Sequence, residues 1–184
     1  VKLDHKHDYG CLMVLLPSVV QKQITDWCLE NVLDCHVGVG GREFHPHITI
    51  KYGFSDSSEE IVQSLKSLLV RYGPIKVKLK RFNVFKSGYG KWENEDGNVL
   101  HIEVESSQLY ELNDTITKSF DCSGNKHSEY KPHITVCYLN SDLDVGNSYV
   151  SLAASFLGQT IVIDRVEWSG ADDTHEILHL SFLP

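Results

Sequence analysis

The sequence has no apolar run long enough to cross a membrane. Residues 10–20 come nearest, but they fall short of the roughly 20 residues that a bilayer requires, and Pro17 interrupts them. No secretory signal is evident, so we expect a cytoplasmic protein. With 41% hydrophobic and 23% charged residues among 184, the composition excludes a disordered, collagen-like or coiled-coil chain. A chain of this length predicts a single domain over residues 1–184.

The sequence also lacks any cysteine spacing that is typical of a zinc site or a redox motif. The five cysteines are Cys11, Cys28, Cys35, Cys122 and Cys137. Their odd number argues against a disulfide framework. We therefore interpret them as buried thiols in a reducing compartment.

Acidic residues are missing from residues 61–92, although the chain as a whole is acidic. That segment contains eight lysines and arginines, and because the total charge is −8, the rest of the chain carries −16. An acidic body with one basic segment suits a small anionic ligand better than a long nucleic acid. We therefore expect no binding of long nucleic acid. We also predict a monomer that does not bind a membrane. The alternative interpretation of the basic segment is a solvated strand face.

Hydrophobic periodicity predicts strands and helices in irregular alternation, which indicates an α+β fold. The predicted strands are 9–16, 46–54, one that includes 75–79, 99–104 and 132–139, followed by a terminal hairpin of 159–169 and 176–182. The predicted helices are 18–33, one that opens on a capping box of Ser57 and Glu60 and stops at Gly73, 107–120, and 148–157.

Two segments resemble each other, Pro-His-Ile-Thr-Ile-Lys-Tyr at 46–52 and Pro-His-Ile-Thr-Val-Cys-Tyr at 132–138. Side chains two apart in a strand point the same way, so each histidine shares a face with the threonine that follows. The intervening Ile48 and Ile134 point to the opposite face and anchor the strands in the core. If the two strands lie close together, two imidazoles and two hydroxyls converge on one anion.

This set of groups suits phosphodiester cleavage without a metal, and we predict His47, Thr49, His133 and Thr135 as the catalytic residues. Imidazole exists in both protonation states near neutral pH, so one histidine accepts a proton while the other donates one. The threonine hydroxyls bind the non-bridging oxygens as charge develops. Two alternatives remain: structural histidines, or a zinc site at His45 and His47, which lacks an obvious third ligand. We expect no cofactor.

At these residues the sequence resembles the 2H phosphoesterase superfamily, whose hallmark is two His-x-Thr/Ser motifs, one in each lobe. The resemblance implies a bilobal, pseudosymmetric fold in which two mainly antiparallel sheets flank a cleft, with helices outside and both motifs on the floor. The motif contexts are most similar to phage anti-CBASS nucleases, which implies hydrolysis of cyclic oligonucleotide immune signals in a host cytoplasm. The alternatives are a 2′,3′-cyclic or 2′–5′ oligonucleotide phosphodiesterase or RNA ligase-like enzyme, and a protein that sequesters nucleotides without cleaving them.

Several further residues are candidates to bind a short or cyclic oligonucleotide. Aromatic rings stack on bases and lysines pair with phosphates. On this basis the predicted substrate-binding residues are Tyr9, Lys51, Trp92, Tyr130, Lys131 and Trp168. Strand alternation places Lys51 on the face of Thr49, whereas the second motif has Cys137 at the matching position.

Overall fold

A computed structural model describes residues 8–86, 98–125, 127, 129–140 and 143–180. The strands are β1 (Gly10–Leu15), β2 (Val37–Arg42), β3 (His47–Phe54), β4 (Ile75–Phe85), β5 (Asn98–Glu105), β6 (His133–Leu139), β7 (Thr160–Ile163), β8 (Arg165–Ser169) and β9 (His175–His179). The helices are α1 (Ser18–Asn31), α2 (Glu59–Leu69), α3 (Ser107–Ser119) and α4 (Leu143–Val150). These elements confirm the α+β class.

All nine of these strands belong to one curled antiparallel sheet. Its order is β7-β4-β5-β6-β3-β1-β8-β9, and β2 pairs with β6 outside this path. The same unit of strand, helix and motif strand occurs twice, as β1-α1-β3 and as β5-α3-β6. The two halves join where β3 pairs with β6, so the predicted pair of antiparallel sheets is continuous at the centre of the molecule.

The hydrophobic core lies on the face of the sheet that the helices cover. Ile48, Ile50, Ile134 and Val136 are fully buried there, as strand alternation predicts. Full burial of one such side chain contributes about 1.5–3 kcal/mol. Helix α1 contacts β6 and α3 contacts β3, so each half covers the motif strand of the other. None of the helices in the described ranges is long and apolar enough to span a bilayer.

The start of α2 differs from the prediction. Ser58, not Ser57, precedes the helix, and its side chain makes no capping bond. Its hydroxyl and its amide both donate to the carboxylate of Asp56, which forms a local turn that competes with the cap. The hydroxyl of Ser57 instead accepts a hydrogen bond from the amide of Ala171 at 3.0 Å. The predicted capping box is therefore wrong.

The C-terminal elements also differ from the prediction. Helix α4 lies earlier than predicted, and residues 159–169 are two strands, not one. Strand β7 pairs with β4, whereas β8 pairs with β1 and forms the predicted hairpin with β9. Only Asp164 separates β7 from β8, although the two strands lie toward opposite ends of the strand order. The sheet is curled so strongly that these two parts of it meet.

Candidate active site

The two His-x-Thr motifs lie side by side at the centre of the sheet. Ile48 of β3 pairs with Ile134 of β6 in antiparallel register. One residue to either side, this register sets His47 opposite Thr135 and Thr49 opposite His133. All four side chains point away from the core, on the concave face. The geometry that the repeat predicts is therefore the geometry that the fold produces.

Each of the two candidate catalytic histidines contacts the backbone carbonyl of the residue two positions before it. Nδ1 of His47 lies 2.9 Å from the carbonyl oxygen of His45, and Nδ1 of His133 lies 2.7 Å from that of Lys131. Because a carbonyl only accepts, these contacts assign the hydrogen of each neutral ring to Nδ1. Nε2 is then the nitrogen that accepts a proton. The backbone carbonyl groups of His45 and Lys131 thus orient the two imidazoles and determine their tautomers.

The environment of His133 favours its neutral form. Burial lowers the pKa of His133, and a positive charge on His47 lowers it further. The hydrogen bond to the Lys131 carbonyl opposes these effects. At neutral pH the uncharged form of His133 is therefore favoured, and its Nε2 can accept a proton. His47 lies close enough for its charge to act on His133.

Strand β3 contains a β-bulge directly after its motif. Between Thr49 and Lys51 the pairing with β1 shifts by one, which leaves Ile50 as the extra residue. The bulge reverses the alternation, so Lys51 points into the core side, where it is 7% exposed. Its Nζ donates to Oγ1 of Thr117 in α3 at 2.8 Å. The predicted position of Lys51 on the face of Thr49 is therefore wrong.

Strand β6 has a bulge at the matching position. The pairing with β5 shifts between Thr135 and Cys137, which makes Val136 the extra residue. Cys137 is consequently buried on the core side. The next residues, Tyr52 on β3 and Tyr138 on β6, return to the concave face. Both halves thus place a histidine, a threonine and a tyrosine on the concave face in the same order. Because of the bulge, the tyrosine lies three residues after the threonine, whereas simple alternation predicts the residue two positions after it.

Each motif threonine has a different neighbour. Thr49 is hydrogen-bonded to the thiol of Cys11, whose pKa burial raises to about 12. Thr135 is hydrogen-bonded to the phenol of Tyr138, whose pKa is raised by burial and by the carboxylate of Glu43. Both neighbours therefore keep their protons at neutral pH. Neither neighbour therefore adds a negative charge that would repel an anion bound by the threonine hydroxyls.

A third histidine, which the sequence analysis missed, borders the site. His101 of β5 pairs with Thr135 and is 2% exposed. Its ring stacks on Phe85 with centroids 3.8 Å apart and meets His133 edge to face at 5.4 Å. Nδ1 lies 3.1 Å from the Val99 carbonyl oxygen. The alternation within the predicted strand places this residue on the polar face, which was the available signal.

An ion pair lies beside the second motif on the same face. In the pairing of β5 with β6, Glu103 lies directly opposite His133. The carboxylate accepts hydrogen bonds from Nε of Arg81, at 2.7 Å, and from Nδ2 of Asn83. Burial raises the pKa of Glu103, but these bonds outweigh burial and the net direction is downward. A negative charge therefore remains next to His133, and Arg81 balances it.

Tyr130 and Lys131 lie on the approach to the second motif. The hydroxyl of Tyr130 donates to the Thr49 carbonyl oxygen at 3.1 Å, and its ring packs against Tyr110. Tyr130 thus ties the segment before β6 to the first motif strand. Lys131 is exposed and pairs with Glu129 at 3.2 Å. Substrate binding by these two residues stays a prediction.

The predicted aromatic contacts have separate outcomes. Trp168 is 0% exposed and packs edge to face on Phe54 with centroids 5.0 Å apart, so its predicted stacking on a base is wrong. Its place on the core face of β8 is the physical reason. Trp92 lies outside the described residues. Tyr9 packs against Tyr52 at 6.0 Å, near the concave face, and its role in binding stays a prediction.

The zinc alternative gains no further ligand from the fold. His45 is exposed, and its carbonyl oxygen is the atom that contacts His47. Within the part of the chain that the structure describes, no three His, Cys, Asp or Glu side chains are grouped to hold a metal ion. The chemistry that this site can perform with its own residues is proton transfer and anion binding.

Solved structures share this fold over nearly the whole chain. TT0787 of Thermus thermophilus superposes with a TM-score of 0.62 at 13% identity, covering 96% of this chain and 100% of that one. Escherichia coli LigT complexed with 3′-AMP gives 0.57 at 14%, covering 94% and 95%. Kluyveromyces marxianus Usb1 with uridine monophosphate gives 0.56 at 14%, covering 95% and 99%. These similarities establish the fold.

The sequence itself identifies the family. No functionally curated protein matches the chain, but the sequence profile of the 2′-5′ RNA ligase superfamily matches residues 21–166. That range includes both His-x-Thr motifs and covers more than half of the chain. The chain therefore belongs to the 2′-5′ RNA ligase superfamily of 2H phosphoesterases, and it is an enzyme of the phosphodiesterase type.

Proposed function

We propose that this protein is a metal-independent phosphodiesterase that hydrolyses cyclic oligonucleotide signals of the anti-CBASS type. The observation that carries the proposal is the central pairing of β3 with β6, which sets each histidine opposite the threonine of the other motif. One phosphate between the strands meets two imidazoles and two hydroxyls. No other group is required for acid–base cleavage of a phosphodiester.

The two histidines divide the proton transfers between them. His133, which its surroundings keep neutral, accepts the proton of the attacking oxygen through Nε2. The oxygen of a ribose 2′-hydroxyl or of water then bonds to phosphorus as the P–O bond to the leaving oxygen breaks. His47, protonated, donates its proton to that leaving oxygen. The pair ends with its protons exchanged and resets by exchange with water.

The threonine hydroxyls stabilise the charge that develops during this step. Thr49 and Thr135 donate to the non-bridging oxygens, whose negative charge increases in the transition state. Their neighbours Cys11 and Tyr138 stay protonated, so neither a thiolate nor a phenolate repels the phosphate there. Preorganised donors of this kind cost no reorganisation at the moment of reaction.

The charge distribution supports a small anionic substrate. Lys76 and Lys78 are exposed on β4, on the same face as the histidines, whereas Lys80 and Arg81 pair with glutamates of β5. The net charge of −8 disfavours long nucleic acid. A cyclic oligonucleotide has several phosphates in a small volume and therefore fits this combination.

A second candidate is a phosphodiesterase that acts on RNA ends, at a 2′,3′-cyclic phosphate or a 2′–5′ linkage. The family match to 2′-5′ RNA ligases favours it. The structures of LigT with 3′-AMP and of Usb1 with uridine monophosphate favour it too, because both contain a mononucleotide. Either substrate places a single phosphate between the same four side chains.

The test is product chromatography after incubation with a panel of nucleotides in excess chelator. The panel contains cyclic dinucleotides, cyclic trinucleotides, 2′–5′ oligoadenylate and 2′,3′-cyclic nucleotides. Cleavage confined to the cyclic oligonucleotides supports the proposal, and cleavage confined to the last two classes supports the second candidate. Recovery of every bound ligand intact would contradict both and indicate a nucleotide-sequestering protein.

A further inference from the structure

One titratable group next to the active site takes no part in the proposed chemistry. His101 lies on β5 in the row that contains Thr135, and it contacts His133. Its 2% exposure removes it from direct contact with a substrate. A buried imidazole is unusual unless something holds it there, since burial of a polar ring costs free energy.

The contacts of His101 form a layered arrangement of rings. Phe85 lies parallel to His101, with centroids 3.8 Å apart and planes 14° apart. His133 stands nearly perpendicular to both rings, at 4.9 Å from Phe85 and 5.4 Å from His101. His133 therefore lies beside the stack, where the edges of both rings form a wall along one side of its imidazole, here called the ring wall. Edge-to-face contacts of this kind are favourable and directional.

The wall complements the backbone contact of His133. The bond from Nδ1 to the Lys131 carbonyl fixes one end of the imidazole, but it leaves rotation about that bond free. The ring wall blocks this rotation from the side of β5. At the matching position of the first motif, the residue of β1 that pairs with Thr49 is Met13, so a thioether stands there in place of a ring.

His101 is suited to this task because it stays uncharged. Burial lowers the pKa of His101 to about 4, with opposing effects from the Val99 carbonyl and the Glu103 carboxylate and a further lowering by His133. A cation at this position would repel the imidazolium that His133 becomes during the reaction. A neutral ring gives the same packing without that repulsion.

We propose that His101 is a positioning residue that, together with Phe85, holds the ring of His133 in its working orientation. This inference extends the proposed function, since it assigns a support to one of its two acid–base groups. The cross-strand pairing of His101 with Thr135 and the two ring contacts carry it. His101 itself touches neither the substrate nor the transferred proton.

The test compares His101→Leu with His101→Phe. Leucine removes one ring of the ring wall and the stacking that holds Phe85, and a misplaced catalytic group costs up to about 10²-fold in rate. We expect kcat to fall by about 10–10²-fold in His101→Leu with KM changed by less than about threefold, because only the oriented state is lost. Phenylalanine keeps the wall, so His101→Phe should retain most of the wild-type kcat.

A second readout does not depend on substrate. Imidazole ¹⁵N shifts of His133 should report one Nδ1–H tautomer in the wild type and in His101→Phe, and a mixture of tautomers in His101→Leu. If the wild type cleaves nothing in the panel, the proposed function fails while this spectrum still tests His101. Unchanged spectrum and kcat in His101→Leu, or a rise in KM alone, would overturn the inference.

The control is Ile102→Ala, which removes a fully buried side chain from the core face of the same strand. It lowers stability without touching the ring wall, so kcat and the His133 spectrum should stay at wild-type values. If His101→Leu does not fold, His101→Phe decides alone. Retention of both the His133 tautomer and kcat then supports the inference, and loss of either overturns it.

Discussion

The two halves of the active site have the same backbone and different surroundings. In both, a motif strand presents histidine and threonine, bulges after the threonine and turns a tyrosine to the concave face. In both, the histidine Nδ1 contacts the carbonyl two residues earlier. The duplicated element is therefore the path of the main chain, which fixes where the reacting groups lie.

The side chains around this path differ. Thr49 has Cys11 and Met13 beside it, whereas Thr135 has Tyr138 and His101. The first half is thus lined by sulfur-containing side chains and the second by rings. Rings are stiffer than a thioether, and they bury His133 in a way that lowers its pKa. One duplicated frame thus holds its two histidines in different surroundings.

A second difference lies on the core side of the bulges. Lys51 reaches Thr117 of α3, whereas Cys137 reaches Cys28 of α1. A charged contact and a thiol contact thus occupy equivalent positions. Because the bulge turns both residues away from the concave face, this position varies without consequence for the reacting groups.

Removal of either imidazole should have the largest effect on the rate of cleavage. We expect His47→Ala and His133→Ala each to lower kcat by about 10²–10⁴-fold, since each removes one proton transfer. The double variant should be little worse than the less active single variant, because the two act as a unit. Turnover of the cleaved nucleotide in excess chelator measures this.

Two outcomes would contradict the assignment. One is full activity of either single variant. The other is complete loss of wild-type activity on addition of the chelator alone. Circular dichroism of each variant controls for folding.

Removal of the hydroxyls tests whether the halves contribute equally to charge stabilisation. Thr49→Val and Thr135→Val preserve shape but remove one donor, and the loss of such a donor costs about 10²–10³-fold in kcat. We expect similar losses from both, because the register places them symmetrically on either side of the Ile48–Ile134 pair. Single-turnover rates provide the measurement. A loss confined to one threonine would show that only one oxygen of the phosphate is bound.

The pH dependence of stability should distinguish His101 from its counterpart Met13. The unfolded chain binds a proton at His101 below a pKa of about 6.5, whereas the folded chain does so only near 4. Stability is therefore lost as pH falls from 7 to 4, by about 3 kcal/mol from this group. Glu103 and His133 face His101 and titrate in both proteins compared.

The measurement is the free energy of unfolding in urea at pH 7 and at pH 4. The wild type should lose about 3 kcal/mol more than His101→Phe over this interval. Met13→Leu, at the matching position of the other half, should show the wild-type dependence. Equal slopes for the wild type and His101→Phe would contradict the burial of a neutral imidazole.

The smallest effect concerns Lys51. We expect Lys51→Met to leave KM within about twofold of wild type and to lower the free energy of unfolding by about 1–2 kcal/mol, because the buried bond to Thr117 is lost. Kinetics and urea denaturation of the same preparation provide both numbers. A rise in KM of about tenfold or more would contradict this expectation and indicate that Lys51 binds the phosphate of the substrate.

The sequence was sufficient to predict the centre of this site. Strand alternation placed His47 and Thr49 on one face and Ile48 on the other, and the repeat indicated that a second copy would meet the first. Both follow from local geometry, which each seven-residue segment contains. The α+β class follows from similar local periodicity.

The remaining features depend on partners that are distant along the chain. A bulge is defined by the strand opposite, so nothing in the local sequence showed that Lys51 would turn to the core. His101 lies more than thirty residues from either motif and reaches His133 only through the pairing of β5 with β6. Trp168 is different, because its alternation with Glu167 is a local signal for the core face that the prediction of base stacking did not use.

The single residue between β7 and β8 has a consequence for the size of the ligand. Asp164 joins the outer strand of one half to a strand of the other, and its carbonyl accepts a bond from the amide of Leu180. The motif strands pair at the centre of the sheet, and Asp164 connects the two halves at its edge. These two connections oppose a hinge motion that would separate the halves. The sheet therefore sets the width of the cleft, and a ligand has to fit that width without a closing motion of the two halves.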